Sequence, residues 1–377
     1  MWSIASMLMA WFLMYHSALY ILETTLHFKE GASFDTVVKK TLGKWPNFLN
    51  GLMLLFLLYV LDYAFISGGG SMVQKLLSDT ASIEMSQAIS AIFFAFTFSL
   101  VIWIGMKMVD RVATVLFIGM ITSFLMTTGK LGLGIDMRQL LETSRGPESQ
   151  PFYYFVLAAL PFYLTSFGFY SVVPSLVKYY HQDAKAIKKC MLSGSVLCLL
   201  IYFLWLLVTM GNLSREEFIP IIEQGGNVAI LIDAILQSVQ DDTIYMLLNL
   251  FANLGLISSF IGVSLGLFDY IADRFDFDDT PKGRLKSGLV TFLPPTIGGA
   301  FFPHGFVQAI GFAGLILAIN GLIIPSIVAL KARQKFDKAD FKVWGGKPLI
   351  YFMIISGIAL VLIQILGMSN MLTVYPG

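Results

Sequence analysis

A stretch between two prolines, Pro161 and Pro174, carries the groups best suited to hold a small molecule. It lies inside an apolar run, residues 152–177, that is long enough to cross a bilayer. Proline has no N–H, so the carbonyls of Leu157 and Tyr170 lose their helical partners. In hydrocarbon such groups persist only where they face protein, water or a ligand. The pattern predicts a helix broken at mid-membrane, as in the substrate sites of secondary transporters, and favours transport of an anion-bearing small molecule.

Three ionisable side chains within apolar runs are candidates for coupling transport to an ion, because charge is expensive there. Asp62 lies near the middle of the second run, so its carboxylate must stay protonated or find a partner. A proton site facing a cavity and a hydrogen bond to a neighbouring helix remain equal alternatives. For His16 a proton relay competes with a hydrogen-bonded core histidine, which the sequence favours. For Glu23 an ion pair with a loop lysine is favoured over coupling.

Three polar side chains are candidates for a cavity wall. Tyr59 lies one helical turn from Asp62, and Asn249 and Asn253 share one face of the seventh run. Contact between helices is the alternative interpretation of both asparagines.

Composition places these residues in a membrane protein. Apolar residues make up 56% and charged residues 13% of 377 residues, and mean hydropathy is +0.75. We expect one integral membrane domain, residues 1–377, that is all-α and polytopic. Ten runs reach or approach the roughly 20 residues that a span needs, and Pro294-Pro295 interrupt the eighth. The runs are 2–28, 48–73, 88–106, 112–128, 152–177, 191–210, 244–271, 287–302, 306–330 and 348–368.

Basic residues predict the orientation of the chain. Of the 25 lysines and arginines, 20 lie in the odd-numbered loops between these runs. The positive-inside rule therefore places the odd loops in the cytoplasm and both termini outside. Met1 opens directly into the first run without a polar flank or signal sequence, so we expect a further span upstream.

One cytoplasmic loop contains a predicted surface helix, residues 33–42, which ends at Gly43. Its apolar residues fall on one face. They are Phe34, Val37, Val38 and Leu42.

Enzymatic alternatives have little support. Residues 262–266 spell the G-x-S-x-G of a nucleophile elbow, but they lie inside a long apolar helix instead of a strand–turn–helix. We expect Gly262 and Gly266 to let two helices approach closely. The sequence has no zinc-protease, nucleotide-binding or C-x-x-C motif, so we expect no metal site, no cofactor and no enzyme activity. No basic tract suggests a nucleic-acid partner.

Motifs along the whole chain resemble the hydroxy and aromatic amino acid permease family of bacteria. They are Tyr15-His16-Ser17-Ala18, Ile21-Leu22-Glu23, Ser33-Phe34-Asp35-Thr36, Ser166-Phe167-Gly168-Phe169, Val173-Pro174-Ser175-Leu176, Lys178-Tyr179-Tyr180, Met210-Gly211-Asn212, Gly266-Leu267-Phe268-Asp269-Tyr270, Phe275-Asp276-Phe277-Asp278-Asp279 and Val343-Trp344-Gly345-Gly346-Lys347-Pro348.

The resemblance implies a bacterial inner-membrane permease with an inverted repeat of five plus five helices. It also implies import of tryptophan, or of tyrosine or phenylalanine, by proton symport. Two positions depart from the family. The first family helix has no counterpart here, so about ten transmembrane helices are expected. The family often has a histidine where this chain has Tyr170.

The broken fifth run is expected to supply half of the substrate site. Backbone N–H groups of residues 168–170 are expected to hold the carboxylate, and freed carbonyls at residues 165–166 the ammonium. The aromatic side chains are expected to stack on the ring. The predicted substrate site is Thr165, Ser166, Phe167, Gly168, Phe169 and Tyr170. A non-transporting truncated remnant or assembly partner is the alternative, and a channel is a more distant one.

Overall fold

The computed structural model describes residues 2–28, 32–141, 156–223, 228–302, 305–336 and 341–369, and every regular element in these ranges is helical. Short 3-10 turns cover Phe169–Val172 and Glu216–Phe218, and a π-helical turn covers Ala318–Ile323. The α-helices are α1 (Trp2–Thr25), α2 (Phe34–Leu42), α3 (Lys44–Ala81), α4 (Gln87–Ile104), α5 (Met106–Gly132), α6 (Met137–Leu141), α7 (Val156–Ser166), α8 (Val173–Tyr179), α9 (Ala184–Asn212), α10 (Ile219–Glu223), α11 (Val228–Val239), α12 (Asp242–Arg274), α13 (Pro281–Phe301), α14 (Phe306–Leu317), α15 (Ile324–Lys335) and α16 (Gly346–Met368).

Within the described ranges, nine helical segments are long and apolar enough to cross a membrane. They correspond to nine of the ten predicted runs, although residues 152–155 of the fifth run lie outside the described ranges. The eighth run is the exception. It forms most of α13, a helix of 21 residues that continues through Pro294 and Pro295 but begins in a polar, basic segment. Its polar start lowers its mean hydropathy, so composition alone does not mark it as a span.

The first of two compact units comprises Met1–Leu57, Thr143–Leu204 and Gly311–Pro376. In it α1 packs against α7, α8 and α15, and α16 packs against the π-helical turn. Helix α1 is unusually well covered, because side chains on all its faces are buried from Leu13 to Thr25. This unit contains the interrupted segment α7–α8.

The second unit comprises Leu58–Glu142 and Trp205–Ile310 together with Gly377. Helix α12 packs along α5 and also contacts α4, α11 and α13. The buried rings of Phe94 and Phe260 meet at its centre, with ring centroids 5.2 Å apart. Gly69 allows this packing, because a Cβ there would lie 2.5 Å from the ring of Phe94.

The predicted cytoplasmic helix is α2, and its capping follows the sequence. The Ser33 hydroxyl accepts the N–H of Thr36, and Gly43 ends the helix at φ +102°, where glycine is favoured. Its apolar face packs against Val328 of α15. The face is therefore covered by protein.

The prediction that Gly262 and Gly266 bring helices together is wrong. A Cβ at either position would meet no described atom within 4 Å. Close approaches occur at other glycines, such as Gly299 against Ile66 and Gly314 against the carbonyl of Pro161. The small-residue spacing was therefore not sufficient to locate a helix contact.

Candidate functional site

The helix containing the two prolines is interrupted between them. Helix α7 ends at Ser166, Phe167 and Gly168 are not helical, and a 3-10 turn leads from Phe169 into α8. Pro161 lies inside α7, whereas Pro174 lies in the first turn of α8, where a missing N–H is harmless. The interruption therefore falls at the Phe-Gly step, with a new helix start directly after it.

The backbone groups at the break have local partners. The N–H of Gly168 donates to the carbonyl of Thr165 over 3.3 Å, and the N–H of Phe169 donates to the carbonyl of Phe167 over 2.9 Å. The carbonyl of Tyr170 accepts the N–H of Val173 in place of the one that Pro174 lacks. A ligand that takes the N–H of Gly168 would have to replace its 3.3 Å bond, which is longer than the usual range for such bonds.

The Ser166 carbonyl, at the end of α7, receives a different partner. The Tyr202 hydroxyl of α9 donates to it over 3.1 Å. The Thr165 hydroxyl donates to the carbonyl of Phe162 over 2.6 Å. Polar side chains therefore hydrogen-bond to carbonyls of Phe162 and Ser166 at the broken end of α7.

The six predicted site residues divide by exposure. The ring of Phe167 is 2% exposed and packs edge-on against Tyr202 at 5.4 Å, and Tyr170 is 3% exposed and lies 6.4 Å from the ring of Phe34. These two rings fix the break inside the first unit. The positions that retain access are Thr165, Ser166, Gly168 and Phe169.

Gly168 is not required by the backbone. Its φ of −72° is negative, so the backbone lies outside the left-handed region that favours glycine. A Cβ there would lie 3.3 Å from the carbonyl oxygen of Thr165, a tight contact, and 3.8 Å from Leu317, an ordinary one. The absence of a side chain therefore leaves room beside the free edge of the break.

Asp62 is fully buried in the second unit. Its Oδ1 accepts the Ser264 hydroxyl over 2.7 Å, and its Oδ2 has no partner among the described residues. Ser264 is the serine of the G-x-S-x-G sequence, so that motif supplies one donor to an acid. A bare carboxylate with one neutral donor is costly at this depth, because nothing described balances its charge.

Of the cavity-wall candidates, Tyr59 has the clearest structural role. Its hydroxyl donates over 2.7 Å to the carbonyl of Val290, which Pro294 leaves without a helical partner. Asn249 donates to the carbonyl of Tyr245 in its own helix over 3.0 Å. Asn249 and Asn253 are both half-buried.

His16 lies in the core of the first unit. Its Nδ1 donates to the carbonyl of Phe12 over 2.8 Å, and its ring lies 4.1 Å from that of Phe12 and 5.6 Å from that of Trp344. The Nε2 atom has no partner among the described residues. These contacts agree with the core-histidine interpretation.

Glu23 forms a buried ion pair with an arginine. Its Oε1 and Oε2 accept Nε and Nη2 of Arg333 at 2.6 and 2.7 Å, and Oε2 also accepts the N–H of Val343 at 2.7 Å. The sequence predicted a lysine of a cytoplasmic loop as partner, and an arginine of α15 occupies that role. The pair joins α1 to α15.

Outside the spans, burial lowers the pKa of His27, and the nearby charge of Glu23 opposes that shift.

A cavity that the sequence did not predict lies in the second unit. Its volume is about 440 Å³. Arg284 holds one side of it by donating to Asp279 over 2.8 Å and to the carbonyls of Ile102 and Trp103. The clustering of aspartates in residues 269–279 was the available signal. The lining is Phe268, Asp269, Ala272, Asp273, Asp276, Phe277, Asp278, Asp279, Arg284 and Ser287. Among the described residues, no group of histidine, cysteine or acidic side chains has the arrangement to hold a metal ion.

Comparisons with known proteins agree on one family. The family model described as the tryptophan/tyrosine permease family matches residues 1–364. The tryptophan-specific transport protein of Haemophilus influenzae is 44% identical over 368 residues, which cover 96% of this chain and 88% of that protein. The tyrosine permease of Enterobacter agglomerans is 36% identical over 344 residues, covering 90% of this chain and 82% of that protein.

The fold has a likeness among solved structures. The transporter Mhp1, of the nucleobase-cation-symport-1 family, in a closed conformation with bromovinylhydantoin bound, superposes with a TM-score of 0.57. The match covers 98% of this chain and 85% of Mhp1 at 14% sequence identity. At that identity the likeness concerns the fold alone, and it supports the predicted inverted-repeat architecture.

Proposed function

Since the chain belongs to the tryptophan/tyrosine permease family, we propose that it imports an aromatic amino acid, tryptophan in preference, by proton symport. The family is one of membrane transporters, so the chain is an integral membrane protein and not an enzyme. The observation that carries the substrate proposal is the break in α7–α8, which brings a long, non-helical backbone hydrogen bond at Gly168 and the two accessible polar residues Thr165 and Ser166 to one point.

The accessible edge of the break supplies the proposed contacts. The carboxylate of the substrate takes the N–H of Gly168, which otherwise makes only a 3.3 Å bond to Thr165. A charge-assisted hydrogen bond is shorter and about twice as strong as a neutral one, so the exchange is favourable. The ammonium lies near the carbonyls of Thr165 and Ser166. Phe169 provides the ring contact, because the Phe167 and Tyr170 rings are buried against other side chains.

Asp62 is the proposed proton carrier of the second unit. Its Oδ2 is unpartnered and it has no ion pair among the described residues, so it is stable in the neutral form that a proton provides. Glu23 and His16 are less suited to this role. Glu23 is held by Arg333, and His16 is enclosed by aromatic rings.

The test is uptake of radiolabelled tryptophan by cells that express the protein, with unlabelled tryptophan, tyrosine and phenylalanine as competitors. We expect accumulation that a protonophore abolishes and that tryptophan competes most strongly. A tyrosine preference is the second candidate, because the relative from Enterobacter agglomerans is named a tyrosine permease; stronger competition by tyrosine would establish it. Absence of uptake at normal membrane abundance would favour a non-transporting remnant or assembly partner.

A further inference from the structure

Four exposed lysines and one tryptophan form a patch at the junction of α2 and α3 in the first unit. Lys39 and Lys40 are exposed in the last turn of α2, and Lys44 and Trp45 open α3 after the turn at Gly43. The fourth lysine is Lys335 of α15, whose ammonium donates to the carbonyl of Lys40 over 2.8 Å. This hydrogen bond brings α15 to the same place. The lysine–tryptophan patch is Lys39, Lys40, Lys44, Trp45 and Lys335.

Within the part of the chain that the structure describes, the positive charge of the patch has no ion-pair partner. None of its four lysines forms an ion pair with a described carboxylate. The Lys40 ammonium instead lies 5.3 Å from the ring of Phe28, and the Lys335 ammonium lies 5.8 Å from that of Phe336. An anionic partner would therefore meet unpaired ammonium groups.

The patch is held in place by packing. The apolar face of α2 lies against Val328 of α15 through Val37 and Val38, both fully buried. Helix α2 cannot turn that face toward lipid without leaving α15. Its basic end is consequently fixed next to the start of α3.

An apolar stripe runs from the patch along α3. Trp45 is 79% exposed, and Phe48, Leu52 and Phe56 follow it at helical spacing with 48%, 52% and 53% exposure. The rings of Trp45 and Phe48 meet edge-on at 6.4 Å. In a membrane protein, exposed apolar residues below an interfacial tryptophan face acyl chains.

We propose that the lysine–tryptophan patch binds the phosphate headgroup of an anionic phospholipid, with its acyl chains along the stripe from Phe48 to Phe56. The charge of the patch complements a phosphate, and the adjoining stripe supplies the apolar surface that a soluble anion would not need. The long lysine side chains reach the headgroup while their stems stay on protein. The excess of basic residues in odd loops places the patch at the cytoplasmic leaflet, where basic clusters attract anionic lipid. The proposal does not depend on which substrate is transported.

The test is native mass spectrometry of the full chain in phosphatidylcholine micelles into which phosphatidylglycerol is titrated. We expect at least one phosphatidylglycerol to be retained, with apparent affinity falling roughly fivefold for each lysine of the patch replaced by glutamine. Inorganic phosphate should not compete, because it lacks acyl chains. Competition by inorganic phosphate would overturn the proposal in favour of a soluble-anion site.

The matched control is the triple variant Lys185→Gln, Lys188→Gln, Lys189→Gln. It removes equal charge from exposed positions of α9. We expect this control to retain phosphatidylglycerol while Lys40→Gln, Lys44→Gln, Lys335→Gln loses it. Equal retention by both triple variants would overturn the proposal. If the patch variant proves unstable, Trp45→Phe in the intact lysine background provides a second readout. Brominated phosphatidylglycerol should quench wild-type tryptophan fluorescence more than that of this variant, and equal quenching would also overturn it.

Discussion

Asp62 is a buried acid whose one hydrogen-bond donor among the described residues is the neutral hydroxyl of Ser264. Such an acid is stable only while it carries a proton or has a cation beside it. At Gly168 the informative feature is an absent side chain. Its φ is negative, so the backbone does not call for glycine, and the missing side chain leaves a space beside the break. These two residues are therefore the most direct tests of coupling and of binding. A substitution of Asp62 should affect proton coupling, and a substitution of Gly168 should affect substrate binding.

Asp62→Asn should mimic the protonated acid permanently. We expect exchange of labelled for unlabelled tryptophan to persist, while accumulation against a gradient falls to near equality across the membrane. Both are measured in proteoliposomes with and without an imposed pH gradient. Asp269→Asn is the control, because it removes a carboxylate that lines the acidic cavity and should keep accumulation. Accumulation by Asp62→Asn equal to that of the wild type would make Asp62 structural only.

Gly168→Leu should block the edge of the break. Losing a charge-assisted hydrogen bond raises KM for tryptophan by roughly 10- to 100-fold, since such bonds contribute about 1.5–3 kcal/mol. Gly168→Ala should have a smaller effect, because it adds one methyl group in place of a four-carbon side chain. Gly194→Leu is the control, as a Cβ there meets no described atom within 4 Å. An unchanged KM for Gly168→Leu would remove the break from the substrate site.

The location of the break was predictable from the sequence, but the direction of its side chains was not. Pro161 and Pro174 flank a Phe-Gly step, and the helix is interrupted at that step and not at either proline. Whether a ring turns inward depends on neighbours far along the chain, such as Tyr202 beside Phe167 and Phe34 beside Tyr170. The partner of Glu23 was missed for the same reason, because Arg333 lies 310 positions away.

At the scale of helices, two prolines, Pro294 and Pro325, are each compensated by a hydroxyl group from another helix. Tyr59 donates to the carbonyl of Val290, four residues before Pro294. Ser17 donates to the carbonyl of Gly321, four residues before Pro325. At each of these two carbonyls the hydroxyl supplies the donor that the proline lacks.

Tyr59→Phe should destabilise the protein, because it leaves the Val290 carbonyl unpaired in the interior, at about 1–3 kcal/mol. Pro294→Ala gives that carbonyl a helical N–H, so Tyr59→Phe should cost much less in its presence. The free energy of unfolding in detergent, for both single variants and the double variant, gives their coupling. Additive effects would show that the hydroxyl and the proline act independently. Tyr63→Phe combined with Pro294→Ala is the control, since Tyr63 bonds Phe302 instead.

Helix α13 is a segment that mean hydropathy does not identify as a membrane span. Its buried side chains and its contacts with α4 and α12 place it in the second unit, although its basic start and two prolines weaken its apolar signal. Conversely, Gly262 and Gly266 had the spacing of a helix contact, but a Cβ at either position would meet no described atom within 4 Å. The periodicity of apolar residues predicts that a helix forms. Which helices it packs against depends on the shapes of the side chains at each contact.

At the scale of the whole molecule, charge distribution predicts orientation in the membrane. Twenty of the 25 basic residues lie in odd-numbered loops. The largest even loop, residues 211–243, contains α10 and α11, and Lys75 and Lys130 of other helices pair with Asp233 and Asp241 in it. The salt bridge from Lys130 holds the pKa of Asp241 below its usual range.

Cysteine labelling tests this orientation. In a Cys190→Ser, Cys198→Ser background, a membrane-impermeant maleimide applied to intact cells should label Glu216→Cys and leave Lys185→Cys unlabelled. Labelling of Lys185→Cys should appear only after permeabilisation. The reverse pattern would invert the predicted topology, and with it the leaflet assigned to the lysine–tryptophan patch.

The hydrogen bond from the Tyr59 hydroxyl to the carbonyl of Val290, four residues before Pro294, also constrains how the sequence can evolve. Replacement of the proline first restores the helical N–H and makes the tyrosine at position 59 dispensable, whereas loss of the tyrosine first creates an unstable intermediate. Lineages related to this chain should therefore include ones with a hydroxyl and no proline. Lineages with proline but no hydroxyl should be rare. The order of two substitutions on separate helices is thus set by a single backbone carbonyl.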